Sequence, residues 1–320
     1  MDLGSKIRKY RTMHDMTQNE LGVKIGFSSS TADSRIRKYE ANKMAPKEEI
    51  RNKLIEALDV DASALTDINI QSFEDVMQVL FQFEEDLGMD IEITEGKTCL
   101  TFDHSNKEIE LLLSYLLSWY LKKRSLPGPD DPTFAEADLQ YELWKSRFPR
   151  DLKALWKEQE EQLSETYDPI VEKMLPGHKA PETISDLIRR LHDLAEAGIA
   201  YKADHRFYGI GDGALVLSFP LSELLEIKDT DAGKVYAEFL CDLKFMEEKG
   251  IEISREMLTT EGGTQISYIL RHSPLSGVAA IAEKIRQHEA NKDQNTDWDE
   301  KMFRFEYEDA LRLYNVKLQG

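Results

Sequence analysis

Cysteine is nearly absent: Cys99 and Cys241 are the only two in 320 residues. Neither belongs to a CxxC pair, which argues against a zinc site or a disulfide framework and leaves both as expected core residues. No charged-then-apolar leader occupies Met1–Gly26. The longest mostly apolar run without charge, Leu111–Leu121, is too short to span a bilayer and reads as a buried helix. The chain is therefore expected to be cytoplasmic. Phosphate-cradling and zinc-protease motifs are missing too: there is no GxxxxGK[ST], no HExxH, and the seven histidines do not gather at ligand spacing. Gly209-x-Gly211-x-Gly213 lacks the capped helix that a dinucleotide fingerprint needs and reads as a hairpin turn. Asp103-His104-Ser105 are sequence neighbours, which is not how a catalytic triad assembles. No enzyme activity, cofactor or metal is expected.

Positive charge is also in short supply, with 41 Lys+Arg against 60 Asp+Glu and a formal net charge of −19. Spread evenly, such charge would repel nucleic acid and anionic membranes. It is not spread evenly. Residues 1–53 hold 12 bases and 7 acids, net +5, whereas the remaining 267 residues are at −24. A small basic head on a large acidic body points to nucleic-acid binding at the head.

The head reads as a run of short helices. Leu3, Ile7 and Tyr10 share one helical face, with Lys6, Arg8, Lys9 and Arg11 around the others. Thr17 and Glu20 have the spacing of a capping box for a second helix, whose core face is Leu21 and Ile25 and which ends at Gly26. After Ser28-Ser29-Ser30-Thr31, a third helix at about residues 32–41 turns Ile36 and Tyr39 inward and Arg35, Arg37 and Lys38 outward, and Asn42 closes it. Pro46 suits the first turn of a fourth helix, striped by Ile50, Leu54 and Leu58, and Asp61 suits the cap of a short fifth ending near Leu65.

In order, Thr17-Gln18-x-Glu20-Leu21-Gly22-x-x-Ile25-Gly26-Phe27-Ser28, Ile36-x-x-Tyr39-Glu40-x-Asn42-Lys43, Pro46 and Leu54-x-x-Ala57-Leu58-x-Val60 resemble the Cro/repressor-type (XRE, lambda-repressor-like) helix-turn-helix family over roughly residues 3–66. The resemblance implies operator-DNA binding. It departs from the family in spacing: Ser28 to Glu40 is twelve residues where the family has about eight. The extra four either lengthen the turn or add a helical turn in front. Ala32-Asp33-x-Arg35-Ile36 with this spacing resembles a subgroup found in regulators of Gram-positive mobile elements. Counted back from Ile36, Tyr39 and Glu40, the family's base-facing slots fall on Asp33, Ser34 and Lys38. Lys38 can donate to guanine and Ser34 can serve either base type. Asp33 either caps the helix, pairs with Arg37 four residues on, or reads cytosine. Arg35 is the preferred reader or phosphate anchor and Arg37 a second, set against a plain solvated face. The resemblance gives Gln18 a phosphate contact and a propping role, and Lys43 and Lys47 are phosphate candidates.

The expected fold is mainly α with an α+β body: a five-helix head at 1–66, a helix–hairpin–helix unit at 67–126, a helical segment with loops at 127–181, and an α+β dimerisation or regulatory region at 182–320. Helix–Gly–hairpin–helix blocks recur around Asp86-Leu87-Gly88, Glu196-Ala197-Gly198 and Glu248-Lys249-Gly250, as an internal repeat or as ordinary α+β alternation. A last helix, Asp299–Leu318, is either a dimer arm or a packed tail. The expectation is a transcriptional regulator, a repressor binding a palindromic operator as a homodimer, with an unknown effector or protein partner and no membrane. The alternatives are an antitoxin-like or interaction scaffold, or an autoproteolytic regulator cut at Ala197-Gly198 or Ala232-Gly233.

Overall fold

A computed structural model describes residues 1–66, 70, 72–94, 97–102, 107–209, 212–260 and 262–318. Helices dominate, with two small antiparallel sheets. The chain gathers into two compact units that are not consecutive stretches: residues 1–89 with 119–157, and residues 90–118 with 158–320.

The first unit begins with α1 (Leu3–Met13), α2 (Gln18–Lys24), α3 (Ser29–Glu40) and α4 (Glu48–Ala57). The expected fifth helix is a single 3₁₀ turn, Ala62–Leu65, capped by Asp61. The capping box is formed: Thr17 Oγ1 accepts the Glu20 N–H at 3.2 Å and Glu20 Oε2 accepts the Thr17 N–H at 2.7 Å. Ile7, Leu21, Ile36, Leu54 and Leu58 are fully buried and form one core. Pro46 stands one residue before the α4 cap, Lys47, and not in the first turn; it pre-sets the chain entering the cap.

Helix α5 (Phe73–Leu87) starts at a second capping box, Ser72 with Asp75, and ends at Gly88, whose φ of +59° suits a residue without Cβ. It buries none of its side chains, and Phe73, Val76, Met77, Val79, Phe81 and Phe83 are exposed. Helix α6 (Lys107–Arg124) contributes residues from Trp119 onward to this unit, followed by α7 (Phe134–Arg147) and the start of α8 (Arg150–Met174). Leu111, Leu116, Leu117, Trp119 and Tyr120 on α6 are exposed, so Leu111–Leu121 is not the buried helix its composition suggests. The run is apolar all round, and no neighbouring element encloses it on every side.

Polar contacts fix α7 and the start of α8 to the head. Lys9 pairs with Glu142, Arg147 and Arg150 both reach Asp59 (2.8 and 2.9 Å), and the Asp61 N–H donates to Ser146 O at 2.8 Å. Asp59 sits at φ +50° and the Arg150 guanidinium donates to Val60 O at 3.2 Å, so the end of α4 is held by side chains from about ninety residues further on.

In the second unit β1 (Asp90–Thr94) and β2 (Lys97–Thr101) form a hairpin, the turn residues 95–96 lying outside the described residues. Cys99 is exposed on β2, contrary to its expected burial, because among the described residues no element covers its side of this two-stranded ribbon; Cys241 is buried as expected. Helix α9 (Ile184–Glu196), β3 (Lys202–Gly209), β4 (Asp212–Pro220), α10 (Leu221–Glu226), α11 (Asp231–Glu248), β5 (Glu252–Thr260), β6 (Gly263–Arg271), α12 (Ser273–Ser276), α13 (Val278–Ala290) and α14 (Asp297–Leu313) follow. Gly209 and Gly213 lie on the β3–β4 hairpin, and Gly211 falls outside the described residues, as do Asp103, His104 and Ser105.

Both α9 and α11 run into a glycine of positive φ (Gly198, +77°; Gly250, +88°), then a buried isoleucine (Ile199, Ile251), then a hairpin. The sheet order β3-β4-β6-β5 is unchanged when the two blocks are exchanged, so the repeated pattern is realised as topology. One sheet face pairs Phe219 with Ile266 and Leu217 with Tyr268, and on it Phe219, Tyr236, Phe239 and Tyr268 pack with ring centroids 5.5–6.1 Å apart. On the other face Ser218 and Ser267 share a hydrogen bond of 2.7 Å, and Arg206 on one edge strand makes a bidentate pair with Glu256 on the other. Helix α14 stops at Leu313, five residues short of the expected end, because the backbone that follows turns back to pair. Tyr314 O and Val316 O accept the Ser185 and Ile184 N–H groups at the start of α9, supplying the partners a helix N-terminus lacks. Phe303 of α14 stacks on His288 of α13 (3.8 Å) and Ala310 is buried, while Trp298, Phe305 and Leu313 of α14 are exposed.

Candidate nucleic-acid interface

The pair α2 and α3 is set by local chemistry. Gly26, at φ +93°, turns the chain between them, and at Gly22 a Cβ would stand 2.6 Å from Cβ of Ala32, so the absence of a side chain allows the helices their close approach. The Asn19 amide donates to Ser29 O at 2.8 Å, fastening the two helix starts together. At the other end the Glu40 carboxylate accepts from Arg11 Nε (2.6 Å) and from Gln18 Nε2 (2.7 Å), and Arg11 also donates to Met16 O. Gln18 thus props α3, in the position the family resemblance implies. Arg11 and Glu40 are separated by 29 residues, so their pairing is a tertiary contact that spacing does not encode.

The four extra residues add a turn to α3. The helix starts at Ser29, after the uncapped Ser28, and buries Ala32, Ile36 and Tyr39. Asp33 is therefore its fifth residue, which corrects its placement at the helix start and removes its capping role. It pairs instead with Arg37. Four residues are close to one 3.6-residue turn, so the addition leaves the outward face nearly unrotated. Ser34 and Lys38 remain on one exposed stripe, now joined by Ser30 at i−4 from Ser34. Thr31 and Arg35 form the neighbouring exposed row, also at i,i+4 spacing. The Arg35 guanidinium lies over the Phe27 ring, 4.6 Å from its centroid, which steadies a long side chain beside the turn. Lys43, just past α3, and Lys47, capping α4, are placed beside it in the chain; Lys43 is exposed and Lys47 is exposed.

The structure thus gathers Ser34, Arg35 and Lys38 on the outward side of one helix, pairs Asp33 with Arg37, and ties Gln18 to the end of that helix. The signal that would have located the added turn is Ala32, which continues the Ile36 and Tyr39 stripe one turn back. The helix-turn-helix family model matches residues 7–65 of this chain.

Residues 7–65 are a helix-turn-helix domain.

The chain thereby carries the DNA-binding module of a regulator, as the Cro/repressor-type resemblance implies. No curated protein and no solved structure matches the chain. Outside the helix-turn-helix domain, His192, Asp193 and Glu196 place ligand atoms within 4.8 Å of one another on α9, although Asp193 is already paired with Arg190. Near them a cleft of about 370 Å³ has the buried Asp242 at its wall, its two oxygens occupied by His178 (2.5 Å) and Arg190 (2.8 Å). Burial pushes the Asp242 carboxyl up, opposed by Arg190 and His178. Among the described residues no helix is long and apolar enough to cross a membrane.

Proposed function

We propose that this chain is a sequence-specific transcriptional regulator, a cytoplasmic repressor that binds a palindromic operator as a homodimer and has no catalytic role. The observation that carries the reading is the exposed stripe Ser30, Ser34, Lys38 with Thr31 and Arg35 beside it, on a helix held at both ends by α2. Lys38 and Arg35 are the donors for guanine, Ser34 an adaptable contact, and Gln18, Arg37, Lys43 and Lys47 the phosphate contacts. Asp33 acts by holding Arg37.

The apolar face of α5 supports the homodimer. Phe73 is 89% exposed, and its five apolar companions on that helix are 36–47% exposed. Phe73, Met77 and Phe81 recur at i,i+4 spacing and form one exposed row along the helix, the surface offered to a second copy. Half-sites about one helical turn apart, ~34–36 Å, follow for a symmetric pair. Against self-cleavage, Ala232-Gly233 lies in the first turn of α11, and Ala197 has helical backbone angles (φ −71°, ψ −2°).

Selection of duplexes from a random pool with the full chain tests the reading. A palindromic consensus is the expected result, an asymmetric one removes the homodimer, and no enrichment removes sequence-specific binding.

A further inference from the structure

Lys122-Lys123-Arg124 is the only run of three consecutive basic residues in the chain. It ends α6 and belongs to the same compact unit as the helix-turn-helix domain. Cations at a helix C-terminus offset the negative end of its dipole, which explains one or two of them. It does not explain their surroundings. Trp119 and Tyr120, one turn back, are 45% and 53% exposed. Lys123 Nζ stands 5.9 Å from the Trp119 ring centroid and Arg124 Cζ 5.4 Å from that of Tyr120. No carboxylate pairs with any of the three among the described residues, whereas Lys145, Arg147 and Arg150 of the same unit are all paired. In a chain with 60 acidic residues, these three adjacent bases have no carboxylate partner among the described residues, so their charge is open to an external anion.

The patch is anchored to the head. Trp119 Nε1 donates to the Tyr141 hydroxyl at 2.7 Å, Tyr141 lies on α7, and α7 is tied to α1 through Glu142 and Lys9. Basic side chains beside exposed aromatic rings match nucleic acid, whose backbone supplies the anions.

We propose that Trp119–Arg124 is a second, sequence-independent DNA contact, taking the phosphate backbone of duplex outside the segment that α3 reads. It rests on the DNA-binding reading above. Among macromolecular anions, duplex is favoured over an anionic lipid surface because the patch shares its unit with the helix-turn-helix domain.

The test is the salt dependence of full-chain binding to a labelled duplex of random sequence. Each phosphate contact contributes about 0.9 to the slope of log affinity against log salt. The variant K122Q/K123Q/R124Q is expected to lower that slope by about two to three and to weaken binding about tenfold or more at low salt. Its preference for a selected site over random duplex should be unchanged, and K122R/K123R/R124K should keep the wild-type slope. An unchanged slope with a lower melting temperature would overturn the proposal and leave a helix-end role. Loss of binding to phosphatidylserine vesicles with duplex binding intact would overturn it in favour of a membrane. If the wild-type chain binds no duplex, the DNA-binding reading fails and this proposal with it; if the wild type binds and only the slope fails to change, this proposal alone fails.

Discussion

The two units differ most in charge. The first holds 20 basic and 22 acidic residues and the second 21 and 38, so nearly all of the net −19 belongs to the unit without the helix-turn-helix domain. Exposed charges more than about 8–10 Å apart are largely screened at physiological salt, so the proposed phosphate binding depends on the bases local to each contact and not on the total. The units also cohere differently. Ion pairs of Arg147 and Arg150 with Asp59 join the later helices of the first unit to its head, while the second closes around Phe219, Tyr236, Phe239 and Tyr268. The first unit holds the helix-turn-helix domain, and the proposed function places DNA recognition there and regulation in the second.

Core truncations should separate the units most sharply. Phe239→Ala, at a fully buried site, should cost about 3–5 kcal/mol, and Ile36→Ala about 2–5 kcal/mol. The division requires that only the Ile36 variant lose duplex binding when calorimetry and binding are measured together. Equal loss in both would join the units functionally. Next is Glu40→Ala, which strands a nearly buried Arg11 and should cost about 3–5 kcal/mol with weaker DNA binding, read by thermal melting and titration. Arg35→Ala should cost about 1–3 kcal/mol on a selected site and much less on random duplex. Equal loss on both would make Arg35 a phosphate contact.

The smallest effect is in pH. The Ser5 N–H, with Asn42 adding, holds the Asp2 carboxyl at about 2 against an ordinary 3.8. A depressed carboxyl stabilises the fold above its unfolded value, and that contribution is lost as pH falls from about 4 through about 2. Asp242, pushed up by burial, has the opposite sign: its contribution is present at low pH and fades as pH rises through its folded value. Asp2→Asn should therefore flatten the acid limb of the melting curve of the head, measured by circular dichroism, and unchanged acid sensitivity would remove Asp2 as its cause.

Much of the head was legible because its signals are local. Thr17 with Glu20, the turn at Gly26 and the cap at Asp61 each act within four residues, and Asn42 does close α3, at φ +50°. The position of the added turn needed Ala32, a small residue easily passed over as part of a loop. The Arg11–Glu40–Gln18 junction and the clasp of Arg147 and Arg150 on Asp59 depend on tertiary approach, which spacing does not encode. Burial is not legible where it depends on what lies opposite: Cys99 and Leu111–Leu121 are apolar, yet among the described residues no element covers them fully. In the second unit helix ends at Gly198 and Gly250 were visible, but the pairing of β4 with β6 was not.

Amide hydrogen exchange of the full chain, with and without a selected duplex, tests the central claim most directly. The account predicts slowed exchange at Gln18–Asn19, Ser29–Lys38 and Lys43–Lys47, with the four-stranded sheet of the second unit unchanged. Protection confined to the second unit, or none along α3, would contradict it.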